Sequence, residues 1–474
     1  MTWRRWLMLA LSAALFRGVF AIASIDSLRA DPDAYAAIAK GVAIDGVFGV
    51  RFEDRVTRPT AFRPPLYPLL LSGFVRDGQV DRYGVAVLHV LMGVATALAS
   101  AYAASRIASL TRGDHSPSHA GQYHARAATI AGVFVVLDPL LLRSSTLLMT
   151  ETLAACLASL AFAAWLAGQR APFTATPIAD EPVEPTSPQL TMVAVTGFGL
   201  VTAAAVLCRP TFIVWVGLTA LLVAASAIRR GVRPLVLSLV MCVPGIVAVG
   251  LWTVRNNNAL GSPVWATTHG GYTLILANNP SFYQHLDRAG YRLGPWDQRW
   301  DAEPFLRKYE QRLQFDMRQP AFWDDPATAD AAPEIRTEVQ DDAYARDAAI
   351  RTIADDPRMF AWSAVVRVMR LWNPFPVARS ASETTSMPMA MFRRYGVAAF
   401  YVVVWAALMV ALVRHRGWRR WSMVPVITMV LTLTLVHAVY WSNVRMRAPA
   451  MPLIIAVAAT AVVPPTRTRT KPIV

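Results

Sequence analysis

The chain has 474 residues, 55% of them hydrophobic, and a formal net charge of +15. Soluble domains contain about 45–50% apolar residues, so this composition excludes an ordinary soluble domain and favours a protein that crosses a membrane many times. The three cysteines, Cys156, Cys208 and Cys242, all lie in apolar stretches, which excludes a disulfide framework and a zinc site. The basic residues flank the apolar stretches, so nucleic acid is not an expected partner.

Long apolar stretches follow one another along the chain. A helix needs about 20 predominantly apolar residues to cross the hydrocarbon core of a bilayer. The sequence therefore predicts an all-α polytopic membrane protein with about ten transmembrane helices. The first stretch lacks a small-residue cleavage site before Asp26, so we expect a retained helix rather than a signal peptide. The stretches are 6–25, 83–107, 127–142, 150–166, 192–207, 212–228, 234–254, 395–413, 423–441 and 448–463.

The distribution of basic residues predicts the orientation. Short loops rich in Arg and Lys remain in the cytoplasm. Arg4 and Arg5 precede the first stretch, and further basic clusters follow the second, sixth, eighth and tenth stretches. With ten spans, all of these clusters are predicted to face the cytoplasm. The sequence thus predicts a protein of the cytoplasmic (inner) membrane with both termini in the cytoplasm. The later clusters are Arg106, Arg112 and Arg126; Arg229, Arg230 and Arg233; Arg414, Arg416, Arg419 and Arg420; and Arg467, Arg469 and Lys471.

This orientation predicts three parts. Residues 1–254 form an N-terminal membrane module of about seven helices, which includes the outer loop 26–82. Residues 255–394 form an extracytoplasmic domain with amphipathic helices. Residues 395–474 form a C-terminal membrane module of about three helices and a basic cytoplasmic tail.

Two further segments have a distinct composition. Residues 170–188, rich in Pro, Thr, Glu and Asp, are typical of a flexible linker. Residues 344–372 mix apolar side chains with arginines. They are either an amphipathic helix on the outer membrane surface, suited to guide a lipid, or a packing helix of the outer domain.

Three acidic residues lie at predicted membrane boundaries. Asp31 and Asp33 follow the first apolar stretch, and Glu151 begins the fourth. A carboxylate at that depth is costly unless it has a function or a partner. The simpler explanation for Asp33 is that it caps a helix beginning at Ala34, because Asp is a favoured N-cap residue. Glu151 is explained equally well as an acid favoured by the dipole at a helix start.

The motifs around these acids resemble one family. The outer loop carries Asp31-Pro32-Asp33-Ala34-Tyr35 and then Pro59-Thr60-Ala61-Phe62-Arg63-Pro64-Pro65-Leu66-Tyr67-Pro68. Later motifs are Pro139 with Thr150-Glu151, Leu207-Cys208-Arg209-Pro210, Trp252-Thr253-Val254-Arg255-Asn256, Thr267-Thr268-His269-Gly270-Gly271, Ala277-Asn278-Asn279-Pro280, and His437 with Arg445-Met446-Arg447-Ala448-Pro449. In this order they resemble the GT-C-type glycosyltransferases, relatives of the protein O-mannosyltransferases and of the aminoarabinose transferase that modifies lipid A.

The chain departs from this family at two places. The arginine-rich turn of the family usually has an aromatic residue between its arginines, where this chain has Met446. The aminoarabinose transferase has a glutamate near the position of Arg63, so a second acid in that part of the outer loop is not expected here.

The resemblance implies an inverting glycosyltransferase with its site at the outer membrane surface. The donor would be a sugar on a polyprenyl phosphate. The acceptor would be a hydroxyl of a lipid, a polysaccharide or a protein. No cofactor is required, and the sequence has no glycine-rich phosphate loop.

The resemblance also assigns roles. Asp31, four residues before Tyr35, would be the base that takes the acceptor proton, with Asp33 as its neighbour and Glu151 as a further site acid. Arginines would stabilise the departing lipid phosphate, because a guanidinium binds phosphate through two donors. The candidates are Arg63, Arg209, Arg255, Arg445 and Arg447.

Other candidates have alternatives that the sequence leaves open. Tyr35 and Tyr67 would stack on sugar or line the acceptor path, or would only anchor the fold at the interface. His437 is either a site ligand or a core histidine. Asp31, Asp33 and Glu151 are the acids that could together hold a divalent cation, but their spacing does not require one, so metal dependence stays open.

Two other functions compete with the transferase. A polytopic transporter or lipid flippase would also have many spans and intramembrane charges. It would be expected to show paired inverted repeats with broken helices, and the sequence has none that we detect. A non-catalytic scaffold for cell-envelope assembly would not need acids and arginines clustered on the outer side.

Overall fold

The computed structural model describes residues 2–31, 33–52, 55–110, 117–169, 191–226, 228, 231–288, 337–374, 387–415 and 421–463. The linker at 170–188 and the basic cluster Arg467, Arg469 and Lys471 lie outside this part of the chain. The α-helices are α1 (Trp3–Ala23), α2 (Tyr35–Asp45), α3 (Leu66–Ser72), α4 (Arg82–Leu110), α5 (Pro117–Leu137), α6 (Pro139–Ser144), α7 (Glu151–Ala167), α8 (Met192–Cys208), α9 (Thr211–Ala225), α10 (Arg233–Leu260), α11 (Gly270–Ala277), α12 (Pro280–Arg288), α13 (Glu338–Asp355), α14 (Pro357–Trp372), α15 (Met387–His415), α16 (Val424–Val439) and α17 (Met451–Ala458).

Short elements complete the described chain. Strand β1 (Gly49–Arg51) pairs antiparallel with β2 (Thr57–Pro59), and β3 (Val75–Arg76) pairs with β4 (Gln79–Val80). Both hairpins lie in the outer loop and neither closes into a larger sheet. The prediction of an essentially helical protein is therefore correct, with these two hairpins as the exception. The 3₁₀ helices are Ile25–Arg29, Trp421–Met423, Val444–Arg447 and Ala459–Val462.

Each of the predicted apolar stretches coincides with a helix. Among the described residues, five helical segments are long and apolar enough to cross a membrane: Trp3–Ala23, Arg82–Leu110, Arg233–Leu260, Arg394–Arg414 and Trp421–Val439. Four shorter apolar helices are Glu151–Ala167, Met192–Cys208, Thr211–Ala225 and Met451–Val462. The third stretch differs most from its prediction, since α5 ends at Leu137 and Asp138 caps the separate short helix α6. The chain is a multi-pass membrane protein, and the number of ten spans stays a prediction.

Small residues bring the central helices together. The buried face of α4 includes Ala97, Ala101 and Ala104, and this helix packs against α1, α5 and α7. In a membrane, helices associate through close packing of small residues rather than through the hydrophobic effect. Every residue of α17 is buried, so this short helix lies at the centre of the bundle.

Hydrogen bonds show which helix ends lie together. At one end, Arg106 near the end of α4 donates to the carbonyl of Gln169, just after α7, over 2.6 Å. At the same end, Arg414 near the end of α15 donates to the carbonyl of Ala461 over 2.9 Å. The outer loop and helices α11 to α14 meet at the opposite end.

The segment predicted as one amphipathic helix forms two. Asp356 ends α13 and caps α14, with Pro357 at the first position of α14, where its missing N–H costs nothing. The apolar face of α14 buries Met359 and Val366 against Phe282 and Tyr283 of α12. These contacts favour the packing-helix alternative for this part of the segment.

Candidate functional site

Asp31 lies at the start of α2 and is the acid that binds the helix N-terminus. Its Oδ2 accepts a hydrogen bond from the backbone N–H of Ala37 at 2.9 Å. Its Oδ1 is buried and has no hydrogen-bond partner among the described residues. Burial raises the pKa of Asp31 above its usual value, and the backbone N–H groups at the start of α2 oppose this rise. The helix therefore holds one carboxylate oxygen, and the other makes no hydrogen bond to the described residues.

Asp33 has a different role from the cap that the sequence suggested. Its Oδ1 accepts from Nη2 of Arg63 at 2.6 Å, and its carbonyl accepts from Nε of Arg63 at 2.8 Å. The residue between Asp33 and α2, Ala34, has a left-handed backbone with φ 59°, which costs an L-residue about 1 kcal/mol. The Asp33–Arg63 pair joins two parts of the outer loop that are 30 residues apart, next to this strained residue.

Arg63 is itself buried, and aromatic rings surround it. Its guanidinium carbon lies 5.2 Å from the ring centroid of Tyr35 and 4.6 Å from that of Phe62. Guanidinium groups are attracted to the faces of aromatic rings at such distances. The Arg63 side chain is thereby fixed beside Tyr35.

A residue that sequence reasoning missed, Glu338, holds the segment before Arg63. Its carboxylate is buried and accepts from the Thr60 hydroxyl at 2.6 Å, from the Ala61 backbone N–H at 2.7 Å and from the Thr268 hydroxyl at 3.1 Å. A Thr-x-x-Gln capping box, Thr337 with Gln340, marks the start of α13 in the sequence, but it does not reveal the partners of Glu338.

Tyr67 is fixed by a second missed residue, His89. The Nδ1 of His89 lies 2.8 Å from the Ser145 carbonyl and its Nε2 lies 2.9 Å from the Tyr67 hydroxyl. A carbonyl only accepts, so Nδ1 carries the proton and the Tyr67 hydroxyl donates to Nε2. The Tyr67 and Tyr35 rings form a T-shaped pair, with their centroids 5.3 Å apart. The one sequence feature that could have pointed to His89 is that it is a histidine inside an apolar helix.

Glu151 lies between two arginines at the start of α7. Its Oε1 is 3.1 Å from Nε of Arg445 and 3.6 Å from Nη1 of Arg209, while the buried Oε2 has no hydrogen-bond partner among the described residues. The two guanidiniums also contact the sulfur atoms of Met149 and Met446. Two positive charges share one negative charge, so the cluster carries one cation in excess.

The two groups of charges converge on the tyrosines. Burial raises the pKa of Tyr35 to about 12, and the charges acting on it are those of Arg63, Asp33, Glu151 and Arg209. Burial also raises the pKa of Tyr67, on which Asp31 and Glu151 act. The structure thus brings Asp31, Asp33, Glu151, Tyr35, Tyr67, Arg63, Arg209 and Arg445 to one end of the bundle.

Arg255 and Arg447 have other contacts. Arg255, near the end of α10, donates to the carbonyls of Thr60 and Phe48 and stacks on Trp252. Arg447 is fully buried and donates to the carbonyls of Leu371 and Asn373. Both guanidiniums tie segments of backbone together, and neither has a contact with Glu151.

His437 is buried near the end of α16. Its Nδ1 donates to the Trp441 carbonyl at 2.8 Å. Arg209 acts on it electrostatically, so His437 borders the Glu151 cluster through this arginine.

The acids do not gather around one point. Among the described residues, no group of three or more His, Cys, Asp and Glu side chains is arranged to hold a metal ion. Asp33 is engaged by Arg63, and Glu151 is engaged by Arg209 and Arg445.

Asp31 also lines a cavity of about 480 Å³ at this end of the molecule. The helix α2, the turn between β3 and β4, and the end of β1 form its walls. The described lining residues are Leu28, Arg29, Asp31, Ala36, Ala37, Lys40, Ile44, Arg51, Phe52, Gly78, Gln79, Val80, Arg82 and Leu148.

The fold and the site together define a multi-pass membrane protein with a carboxylate–arginine site at one end of its helices. No protein family model and no curated protein matches the chain. The chain is similar to ArnT from Cupriavidus metallidurans bound to undecaprenyl phosphate, with 16% identity over 97% of this chain and 77% of that chain and a TM-score of 0.37.

The chain is also similar to the oligosaccharyltransferase AglB from Archaeoglobus fulgidus in complex with an inhibitory peptide and a dolichol-phosphate. The identity is 14% over 97% of this chain and 50% of that chain, with a TM-score of 0.48. The chain thus spans about half the length of the archaeal enzyme. ArnT and AglB are both GT-C glycosyltransferases, the family that the sequence motifs resemble.

Proposed function

We propose that the protein is an inverting glycosyltransferase that moves a sugar from a polyprenyl phosphate to an acceptor hydroxyl on the outer face of the cytoplasmic membrane. The observation that carries the proposal is the Asp31 carboxylate at the wall of a cavity, whose buried Oδ1 has no hydrogen-bond partner among the described residues. The cationic cluster of Arg209 and Arg445, which meets at Glu151, supports it.

Asp31 is the proposed general base. The acceptor oxygen attacks the anomeric carbon, its proton passes to the free Oδ1 of Asp31, and the bond from the anomeric carbon to the phosphate oxygen breaks. Because burial raises the pKa of Asp31, its ionised carboxylate is a stronger base than that of an exposed aspartate. The hydrogen bond from Ala37 keeps the other oxygen in place.

Arg209 and Arg445 are the proposed partners of the departing phosphate. Negative charge builds up on this group as the bond breaks, and pre-positioned guanidiniums stabilise it without rearranging. Glu151 orients both side chains through its Oε1. Arg63 completes the positive surface beside Tyr35, and Asp33 orients it.

The test is the Asp31→Asn variant. Expressed in a strain that lacks the gene, it should reduce the glycan product in envelope fractions by at least about 100-fold, because a general base contributes at least this much. The purified variant should bind undecaprenyl phosphate as the wild type does. Asp77→Asn is the matched control, an exposed acid of the same loop that does not line the cavity.

Two results would contradict the proposal. Full glycan product with Asp31→Asn would exclude Asp31 as the base. Movement of labelled undecaprenyl phosphate across liposomes by the wild type, with no glycan product in cells, would instead support the flippase.

A further inference from the structure

The cavity that Asp31 lines is strongly basic. Four of its described lining residues are cationic, and Asp31 is the one acid among them. The cations come from different elements, so the sequence alone does not show that they meet. They are Arg29, Lys40, Arg51 and Arg82.

Two acidic side chains outside the cavity pair with three of these cations. Arg29 and Arg82 both pair with Asp26, at 3.2 and 2.8 Å. Arg51 pairs with Asp45 at 3.0 Å. A single carboxylate shared by two arginines already leaves positive charge at the rim.

Lys40 differs from the three arginines. It is half-buried on α2, and its Nζ donates to the neutral amide oxygen of Gln79 at 2.7 Å. Among the described residues, no carboxylate lies within ion-pair distance of it. Lys40 follows Ala37, whose N–H binds Asp31, by about one helical turn, and Lys40 and Asp31 both line the cavity. An ammonium that is held by a neutral amide is suited to bind an anion.

The cavity is separate from the cluster proposed to hold the lipid phosphate. Glu151, Arg209 and Arg445 do not line it, whereas Asp31 does. In a displacement that inverts the sugar, the attacking hydroxyl and the leaving phosphate lie on opposite faces of the ring. The acceptor and the lipid phosphate therefore need separate binding places, and the cavity that Asp31 lines offers a place that the arginine cluster does not line.

We propose that this cavity binds an acceptor that carries a negative charge, a phosphate or a carboxylate, near its reacting hydroxyl, and that Lys40 binds this anion. The proposal rests on the proposed function, because it needs the acceptor to lie beside Asp31. It adds the chemical class of the acceptor and a residue that selects it.

The test uses soluble probes with the purified protein in lipid nanodiscs. Undecaprenyl phosphate is kept at saturation, so that the arginine cluster is occupied. Glucose 6-phosphate, glucuronate and glucose are then titrated, and their dissociation constants are measured by calorimetry. We expect a charged probe to bind about tenfold tighter than glucose, the difference that one charge-assisted hydrogen bond supplies. Tighter binding of the phosphate probe alone, or of the carboxylate probe alone, supports the proposal and names the anion.

Three variants assign the effect to Lys40. Lys40→Gln should weaken binding of the charged probe about tenfold. Lys40→Arg should retain most of the affinity for this probe. Arg76→Gln removes an exposed cation of the same loop that does not line the cavity, and it should change nothing. Equal binding of all three probes, binding of none, or equal behaviour of Lys40→Gln and Arg76→Gln would overturn the proposal.

A result that contradicts the proposed function would differ from one that contradicts only the acceptor inference. Lys40→Gln should bind undecaprenyl phosphate as tightly as the wild type, because Lys40 does not belong to the arginine cluster. Absence of undecaprenyl phosphate binding in the wild type would count against the transferase itself. Normal binding of this lipid without selection among the soluble probes would remove only the inference about the acceptor.

Discussion

Arg445 and Arg447 are two residues apart, yet the structure gives them opposite environments. The Arg445 side chain is one-third exposed and pairs with Glu151. Arg447 is fully buried, and its guanidinium carbon lies 4.3 Å from the ring centroid of Tyr401. The 3₁₀ turn between α16 and α17 directs the two side chains to different neighbours, so we expect different consequences when each is removed.

Arg445→Ala should weaken undecaprenyl phosphate binding about 10- to 100-fold, because it removes a charge-assisted contact to the phosphate. Its apparent melting temperature should change little. Arg447→Ala should instead lower the free energy of unfolding by about 3 kcal/mol, since it leaves two buried carbonyls without donors. Lipid binding and thermal unfolding of both variants are the measurements. Equal loss of binding in the two variants would show that the turn acts as one unit.

The raised pKa of Asp31 predicts a cost in stability. Between the ordinary Asp pKa of about 3.9 and the higher pKa of the folded state, the folded protein binds more protons than the unfolded chain. The contribution of Asp31 to stability therefore falls as the pH rises through this interval. At neutral pH the buried charge destabilises the fold.

Asp31→Asn should accordingly raise the apparent melting temperature at pH 7 by about 1–3 °C. The advantage should shrink as the pH is lowered through this interval, because the wild-type carboxyl takes up its proton there. Thermal unfolding of both proteins from pH 4 to 8 provides the measurement, with Asp77→Asn as the exposed control. A variant less stable than the wild type at neutral pH would show that Asp31 is stabilised by its surroundings.

At the scale of elements, α13 fixes the segment that leads to Arg63. Glu338 at its first position binds Thr60 and Ala61, and Gly271 of α11 packs directly on the backbone of Asp342 in α13, with no room for a β-carbon. The helix α11 therefore fixes the position of α13 by packing, and α13 fixes the outer loop by hydrogen bonds.

Glu338→Ala should release this loop. Loss of the Glu338 carboxylate leaves two hydroxyls and one backbone N–H without their acceptor. The free energy of unfolding should therefore fall by about 3 kcal/mol. Hydrogen exchange of residues 57–66 should accelerate, and glycan transfer should fall with it. Asp347→Ala removes an exposed acid of the same helix and should leave exchange unchanged. Unchanged exchange in Glu338→Ala would show that the loop is held by other contacts.

For the whole molecule, the contact of Glu338 with Thr60 brings the outer loop and α13 together at one end of the helices. The helix α9 begins beside Arg209, and its 15 residues end at Ala225. At 1.5 Å per residue it extends about 22 Å, which takes Ser226 away from this end. The arginine distribution predicts that the end at Ser226 is cytoplasmic.

Single cysteines test the orientation. An impermeant thiol reagent applied to intact cells should label Asp77→Cys and Asp347→Cys, and it should label Ser226→Cys only after the cells are opened. Of the three native cysteines, Cys156 and Cys208 are buried and Cys242 is half-buried, so the protein without an added cysteine provides the background. Labelling of Ser226→Cys in intact cells, with protection of the other two, would reverse the predicted orientation.

Sequence patterns predicted the helices well because each apolar stretch is long and local. They also found the acids and arginines that lie at one end of the bundle. They did not find Glu338, which is 277 residues from Ala61, or His89, whose partners Tyr67 and Ser145 lie on other elements. No local pattern distinguishes a guanidinium that faces a site from one that binds carbonyls, as Arg209 and Arg255 show.

Composition and periodicity alone determined that this chain is helical and crosses a membrane many times, because the cost of unpaired backbone in lipid leaves few other choices. They also determined which ionisable residues lie near the membrane boundaries. Only the tertiary structure decided which acid caps α2, which arginines share Glu151, and that Asp31 and Lys40 line one cavity. These outcomes depend on contacts between segments far apart in the chain, and such contacts leave no periodic signal in the sequence.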